Sequence, residues 1–135
     1  MQVVVIRFTV REEWAGRWLD LVGEFTRATR AEESNLWFWW ARSVDEPGVF
    51  FLLEGHREDG VEQHLKSPLI PKIQREWPAA LAETPRVLIT TMPGDGWPEL
   101  ALLPVPARAT PAEGLPPPGE PRPVRTRSGY RPPAR

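Results

Sequence analysis

Two histidines, one asparagine, one arginine and a dense set of tryptophans carry the chemistry open to this chain. His56 ends an apolar strand, and an imidazole's ordinary pKa suits proton transfer near neutrality. It is the candidate general base, or else a packing residue. His64 falls near the end of a short helix, as a polar contact for a ligand or a partner for helix carbonyls. Asn35 follows a helix and offers either a donor to a developing anion or a turn's backbone hydrogen bonds. Arg7 alternates with Ile6 and Phe8, as an anion clamp or as a wet or interfacial residue. Trp14, Trp18, Trp37, Trp39, Trp40 and Trp77 offer stacking walls or core packing. Together these residue types suit the holding of a flat apolar molecule away from water, with a few polar points around it.

Several other chemistries are disfavoured. The chain has 135 residues, no cysteine and two histidines, so thiolate catalysis, disulfides and a protein-only transition-metal site are not expected. No spacing suggests a Ser–His–Asp set. Gly94-Asp95-Gly96 is a turn rather than a phosphate loop, because no lysine or helix follows. A net charge of −1 gives no global attraction to nucleic acid or membrane. No apolar run approaches the roughly 20 residues of a membrane helix, and the first residues lack a signal peptide's basic region. A cytoplasmic protein is expected.

The elements that must position these residues follow from periodicity. Val3 to Val10 alternates as a strand, and Arg11 to Ala31 carries a helical stripe through Trp14, Trp18, Leu21, Val22, Phe25 and Ala28. Ser34 to Glu54 reads as a hairpin turning at Pro47-Gly48. Leu36, Phe38 and Trp40 point one way, and Trp37, Trp39 and Ala41 the other, so both faces are apolar. Its helices cover one face, and a second copy of the chain is the expected cover for the other. Val61 to Lys66 is a short helix stopped at Ser67-Pro68. A second piece carries Ile70, Ile73, Trp77 and Leu81, with Pro78 expected to kink it. Arg86 to Met92 is a strand, and Trp97 to Leu103 a further short one. The order is β-α-β-β-α-β, a ferredoxin-like α+β fold with an extra C-terminal strand. Residues 1–103 form the domain. Residues 104–135 hold ten of the 17 prolines and six arginines against two glutamates. They are expected to be a disordered, polyproline-biased tail, whose Pro118-Gly119-Glu120-Pro121 is a PxxP match.

The span 3–103 resembles the antibiotic biosynthesis monooxygenase family. The likeness rests on Thr26 to Glu32 at the first helix end, Asn35-Leu36-Trp37-Phe38 and Arg42 to Pro47. It continues in Leu53-Glu54, His64-Leu65-Lys66-Ser67-Pro68, Ala82-Glu83-Thr84-Pro85 and Gly96 to Leu100. The resemblance implies a homodimeric α+β barrel, with a pocket between sheet and helices in each subunit. It implies oxygenation of an anthrone- or hydroquinone-like aromatic compound with no metal, flavin or other cofactor. It places Trp39 where a similar protein uses a tryptophan, so Asn35, Trp39 and His56 are the candidate catalytic set. Arg7, Trp37, His64 and Trp77 are the candidate substrate contacts. His56 stands where relatives often carry an aromatic residue, and Leu69-Ile70 where they often carry histidine and an aromatic. The haem-degrading relatives' asparagine, tryptophan and histidine are met here by Arg7 or Thr9, His56 and Gln74, against a haem role. Two alternatives stay open: a non-catalytic ligand-binding or scaffold module, and an isomerase or cyclase with His56 or His64 as proton shuttle.

Overall fold

The aromatic run forms a hairpin because its alternation is strand-like and Gly48 supplies the left-handed turn (φ +75°). In the computed structural model, which describes residues 1–106, strand β2 (Asn35–Arg42) pairs antiparallel with β3 (Val49–His56). Strand β1 (Gln2–Thr9) lies on the other side of β3, and β4 (Arg86–Thr91) on the far side of β1. The order β2-β3-β1-β4 is wholly antiparallel. With the helices between strands, it is the expected ferredoxin-like α+β arrangement. The described residues divide into two units, Met1–Asp95 and 96–106.

The long first helix is broken into α1 (Glu12–Ala15), α2 (Trp18–Leu21) and α3 (Gly23–Arg30). Arg17 and Val22, both with ψ near 0°, sit at the breaks. Gly16 and Gly23 stand beside them, and glycine is the weakest ordinary helix former. The apolar stripe still reaches the core, since Trp18, Val22 and Phe25 are all buried. Trp18 meets Phe8, Trp40 and Trp77 at ring-centroid distances of 5.3, 5.8 and 5.5 Å. Truncating such a residue to alanine costs roughly 3–5 kcal/mol.

After the hairpin come α4 (Gly60–Leu65) and α5 (Leu69–Glu76). At Pro78 the helix tightens into a 3-10 turn, Trp77–Ala80, rather than merely bending. This turn buries Trp77 and Ala80, and Leu81 leaves it extended to bridge Val10.

Register assigns the sheet's faces. Val4, Ile6 and Phe8 of β1 pair with Glu54, Leu52 and Phe50 of β3, and Leu52 and Glu54 pair with Trp40 and Phe38 of β2. This set faces the helices and supplies the core. Val3, Val5, Phe51, Leu53, Trp37 and Trp39 alternate onto the opposite face, which no helix covers.

In the second unit, the strand expected over 97–103 is absent from the described residues. The segment closes a turn through a hydrogen bond from Leu103 N–H to the Leu100 carbonyl (2.9 Å). Pro98 and Pro104 remove backbone donors that a strand would need. The PxxP match and all but the first three residues of the expected 104–135 tail lie outside the described residues.

Candidate active site

The helix side of the sheet does not close completely on the helices. A cavity of about 380 Å³ remains between them. Its walls are Val4, Ile6, Phe8 and Leu52 from the central strands, Val87 and Ile89 from β4, and Phe25, Ile70, Ile73 and Trp77 from the helical layer. Against this apolar lining stand two titratable side chains, Glu54 and His64.

Each belongs to a carboxylate–imidazole pair. Glu54 is 3% exposed, and its Oε2 lies 2.9 Å from Nε2 of His56, which is completely buried. The pair follows from strand period: residues two apart on β3 share a face, and a carboxylate among Phe50, Leu52 and Phe38 must find a partner. Nδ1 of His56 has no hydrogen-bond partner. His64, on α4, places Nδ1 at 3.0 and 3.2 Å from the two oxygens of Glu32, which follows α3. The rings of His56 and His64 are 5.2 Å apart, so the pairs adjoin. Phe25 packs edge-on against His64 at 5.2 Å.

The turn from β3 into α4 sets this arrangement. Asp59 adopts a left-handed conformation (φ 63°), and Arg57 N–H donates to the Ser34 carbonyl (2.8 Å). Gly60 then lies so close that an added Cβ would fall 2.8 Å from Cβ of His56 and 2.9 Å from Cβ of Ser34. Only glycine lets α4 start there and bring His64 over the end of β3. On the outside of the same wall, a surface cleft of about 510 Å³ is lined by Glu32, Ser34, Gln63 and Lys66, among others.

The residues expected from the sequence divide between two places. His56, His64 and Trp77 gather on the helix side. His56 does not reach the cavity; it stands behind Glu54, so it acts on a bound molecule only through that carboxyl. Trp37 and Trp39 lie on the opposite, uncovered face, with ring centroids 5.4 Å apart. They cannot share a bound molecule with His56 in one cavity, and the grouping of Asn35, Trp39 and His56 is corrected accordingly. Trp37 and Trp39 pair with Gly55 and Leu53, which alternate away from His56 on β3. A bulge between Asn35 and Trp37 puts Asn35 opposite His56, on the other face from both tryptophans. The Asn35 amide donates to the carbonyls of Trp37 (3.2 Å) and Gly55 (3.5 Å), closing the bulge, and does not line the cavity. Trp37 lies on Gly55, where an added Cβ would come within 2.2 Å of the indole. Arg7, on the uncovered face, bridges Glu46 and Glu83 at 3.1 Å each. The Thr9 hydroxyl also donates to Glu83 (2.9 Å), and this bond more than the nearby arginines holds that carboxyl below its ordinary pKa.

Neither Glu54 nor Glu32 stands out in the sequence as a site residue. Glu54 has a signal, a charge within an apolar strand. Glu32 has none, because 32 positions separate it from His64.

The model for antibiotic biosynthesis monooxygenases matches residues 1–76, more than half of the chain. The chain belongs to the antibiotic biosynthesis monooxygenase family. Solved structures share the fold of this family member. A candidate antibiotic biosynthesis monooxygenase from Deinococcus radiodurans superposes with a TM-score of 0.65 at 17% identity, over 74% of this chain and 99% of its own. One from Nitrosomonas europaea gives 0.63 at 17%, over 70% and 100%. A Mycobacterium tuberculosis protein gives 0.62 at 22%, over 67% and 93%. No protein of curated function matches the sequence. Among the described residues, no group of three or more His, Asp or Glu side chains is arranged to hold a metal ion. No helix there is long and apolar enough to cross a membrane.

Proposed function

We propose that the protein is a cofactor-independent monooxygenase of a flat hydroquinone- or anthrone-like compound bound in the cavity between sheet and helices. The observation that carries this reading is the lining: about 380 Å³ of apolar wall, with Glu54 and His64 its titratable groups. Small-molecule sites usually span roughly 300–1,000 Å³. Phe8, Phe25 and Trp77 offer aromatic surface to a planar ring. Glu54, held by His56, receives a substrate hydroxyl, and His64 stands beside it to exchange a proton. Family membership supports the reaction class.

The chemistry needs no further group from the protein. The substrate gives up a proton, and its delocalised anion reduces dioxygen, forming a carbon–oxygen bond. The peroxide recovers that proton as a hydroperoxide. The same carbon then gives up its remaining hydrogen as a proton while the O–O bond breaks, leaving a carbonyl and hydroxide. That second proton joins the hydroxide as water. One O₂ is consumed, one of its atoms stays in the product and the other leaves as water. The apolar wall limits the water that can compete for the anion.

We also infer a cytoplasmic homodimer that buries the uncovered face. Val3, Val5, Trp37, Phe51 and Leu53 are part-buried there and Trp39 is 48% exposed. Monomers seldom leave an apolar patch of this kind open.

The test is oxygen uptake against a panel of anthrones and hydroquinones, with and without chelator, using the parent and Ile73→Trp, which fills the cavity. The expected result is uptake that persists with chelator and collapses in the filled variant. Binding without uptake would leave a ligand-binding module, and turnover without oxygen an isomerase or cyclase. Either would overturn the oxygenase reading.

A further inference from the structure

The Glu32–His64 pair spans the wall between two spaces. His64 lines the inner cavity and its side chain is 7% exposed. Glu32 lines the outer cleft and its side chain is 25% exposed. Both Glu32 oxygens converge on Nδ1, so in the neutral ring Nδ1 carries the proton. The Nε2 lone pair is then left without a proton. Phe25 edge-on and the His56 ring beside it hold the imidazole in place. A base held by a carboxylate at its far nitrogen is the arrangement that activates imidazoles for proton transfer.

The neighbouring Glu54–His56 pair is built differently. It closes on itself, with His56 fully buried and its Nδ1 unpartnered. A proton placed on that ring would put a second buried N–H donor where no acceptor stands, at a cost in free energy. On His64 the same proton is met by a partly solvated carboxylate.

We propose that His64 is the proton-exchanging residue of the cavity and that Glu32 is its positioning residue. The assignment rests on the oxygenase reading and deepens it. His64 Nε2 takes the substrate proton as the substrate anion forms. Glu32 stabilises the resulting imidazolium from outside the cavity while the anion reduces dioxygen. His64 then returns that proton to the peroxide, takes the remaining hydrogen of the oxygenated carbon as a proton while the O–O bond breaks, and passes it to the departing hydroxide as water, so the ring ends each cycle neutral. The charged and titratable groups around His64 are Glu32 from the α3 end and His56 with Glu54 from β3. On its own helix, Lys66 is tied to Glu62 (2.9 Å). Glu32 touches no molecule in the cavity, so it sets the affinity of His64 for protons without setting substrate affinity.

The chain has two histidines, so ring-nitrogen NMR of the full-length protein resolves both. In the parent, neutral His64 should carry its proton on Nδ1. Glu32→Gln keeps an acceptor but removes the charge beside Nδ1, and should weaken His64's hold on a second proton. Glu32→Asp should retain most of it. With a substrate that turns over, the acid limb of kcat/KM should move to lower pH in Glu32→Gln, with KM unchanged. A merely structural Glu32 would change melting temperature and leave the titration in place. An unmoved titration, or a neutral His64 protonated on Nε2, overturns the assignment whether or not oxygen is consumed. A moved titration without oxygen uptake overturns the oxygenase reading and leaves the pair standing.

Discussion

Replacing His56 with leucine should reveal how Glu54 is held. The side chain of Glu54 is 4% exposed and its carboxylate is paired with His56 at 2.9 Å. Leucine roughly fills the imidazole's space and leaves the carboxylate with no partner. Removing one partner of a buried hydrogen-bonded pair typically costs about 1–3 kcal/mol, and more when the orphaned group is charged. Denaturant unfolding of parent and His56→Leu at pH 7 measures the difference. The deficit should be about 3 kcal/mol. Adding Glu54→Leu should recover most of it, because apolar groups then replace both hydrogen-bonding partners at little cost. A deficit below about 1 kcal/mol, or no recovery in the double variant, would refute the buried-pair argument.

Three further outcomes are expected. Trp39→Asp or Leu53→Asp, on the uncovered face, should shift the protein from dimer towards monomer in light scattering at low micromolar concentration; a parent that is already monomeric there would sink the dimer. Gly55→Ala should lower the melting temperature by the equivalent of about 1–3 kcal/mol, since its Cβ would enter the Trp37 indole. An unchanged melting temperature would mean that Trp37 does not rest there. Glu83 should titrate below an ordinary glutamate by carbon-detected NMR, and Thr9→Val should raise it towards the ordinary value. The stability this carboxylate contributes is present at neutral pH and lost as pH falls through its lowered pKa.

Much of the fold was legible in residue order. Alternation in Val3–Val10, the Pro47-Gly48 turn and the run Arg86–Met92 specify strands by local period, and the ferredoxin-like order follows. The features that were not legible depend on geometry that period does not carry. Gly16 and Gly23 let one apolar stripe form three short helices, because the stripe meets the core either way. The 97–103 segment has a strand's apolar residues but lacks backbone donors at its prolines. For the site, strand register and the bulge beside Asn35 decided the outcome. The pairing of Trp39 with Leu53 set both tryptophans across the sheet from His56, and one extra residue moved Asn35 to the His56 side. The Glu32–His64 pair joins a helix end to a later helix and has no local signature.

Binding of an aromatic molecule between sheet and helices is tested most directly by methyl and indole NMR of the parent with a saturating hydroquinone or anthrone. Intermolecular NOEs from the ligand should appear at the methyls of Ile6, Ile70, Ile73 and Val87 and at the ring of Trp77. NOEs confined to the indoles of Trp37 and Trp39 would place the ligand on the opposite face and contradict binding in the cavity.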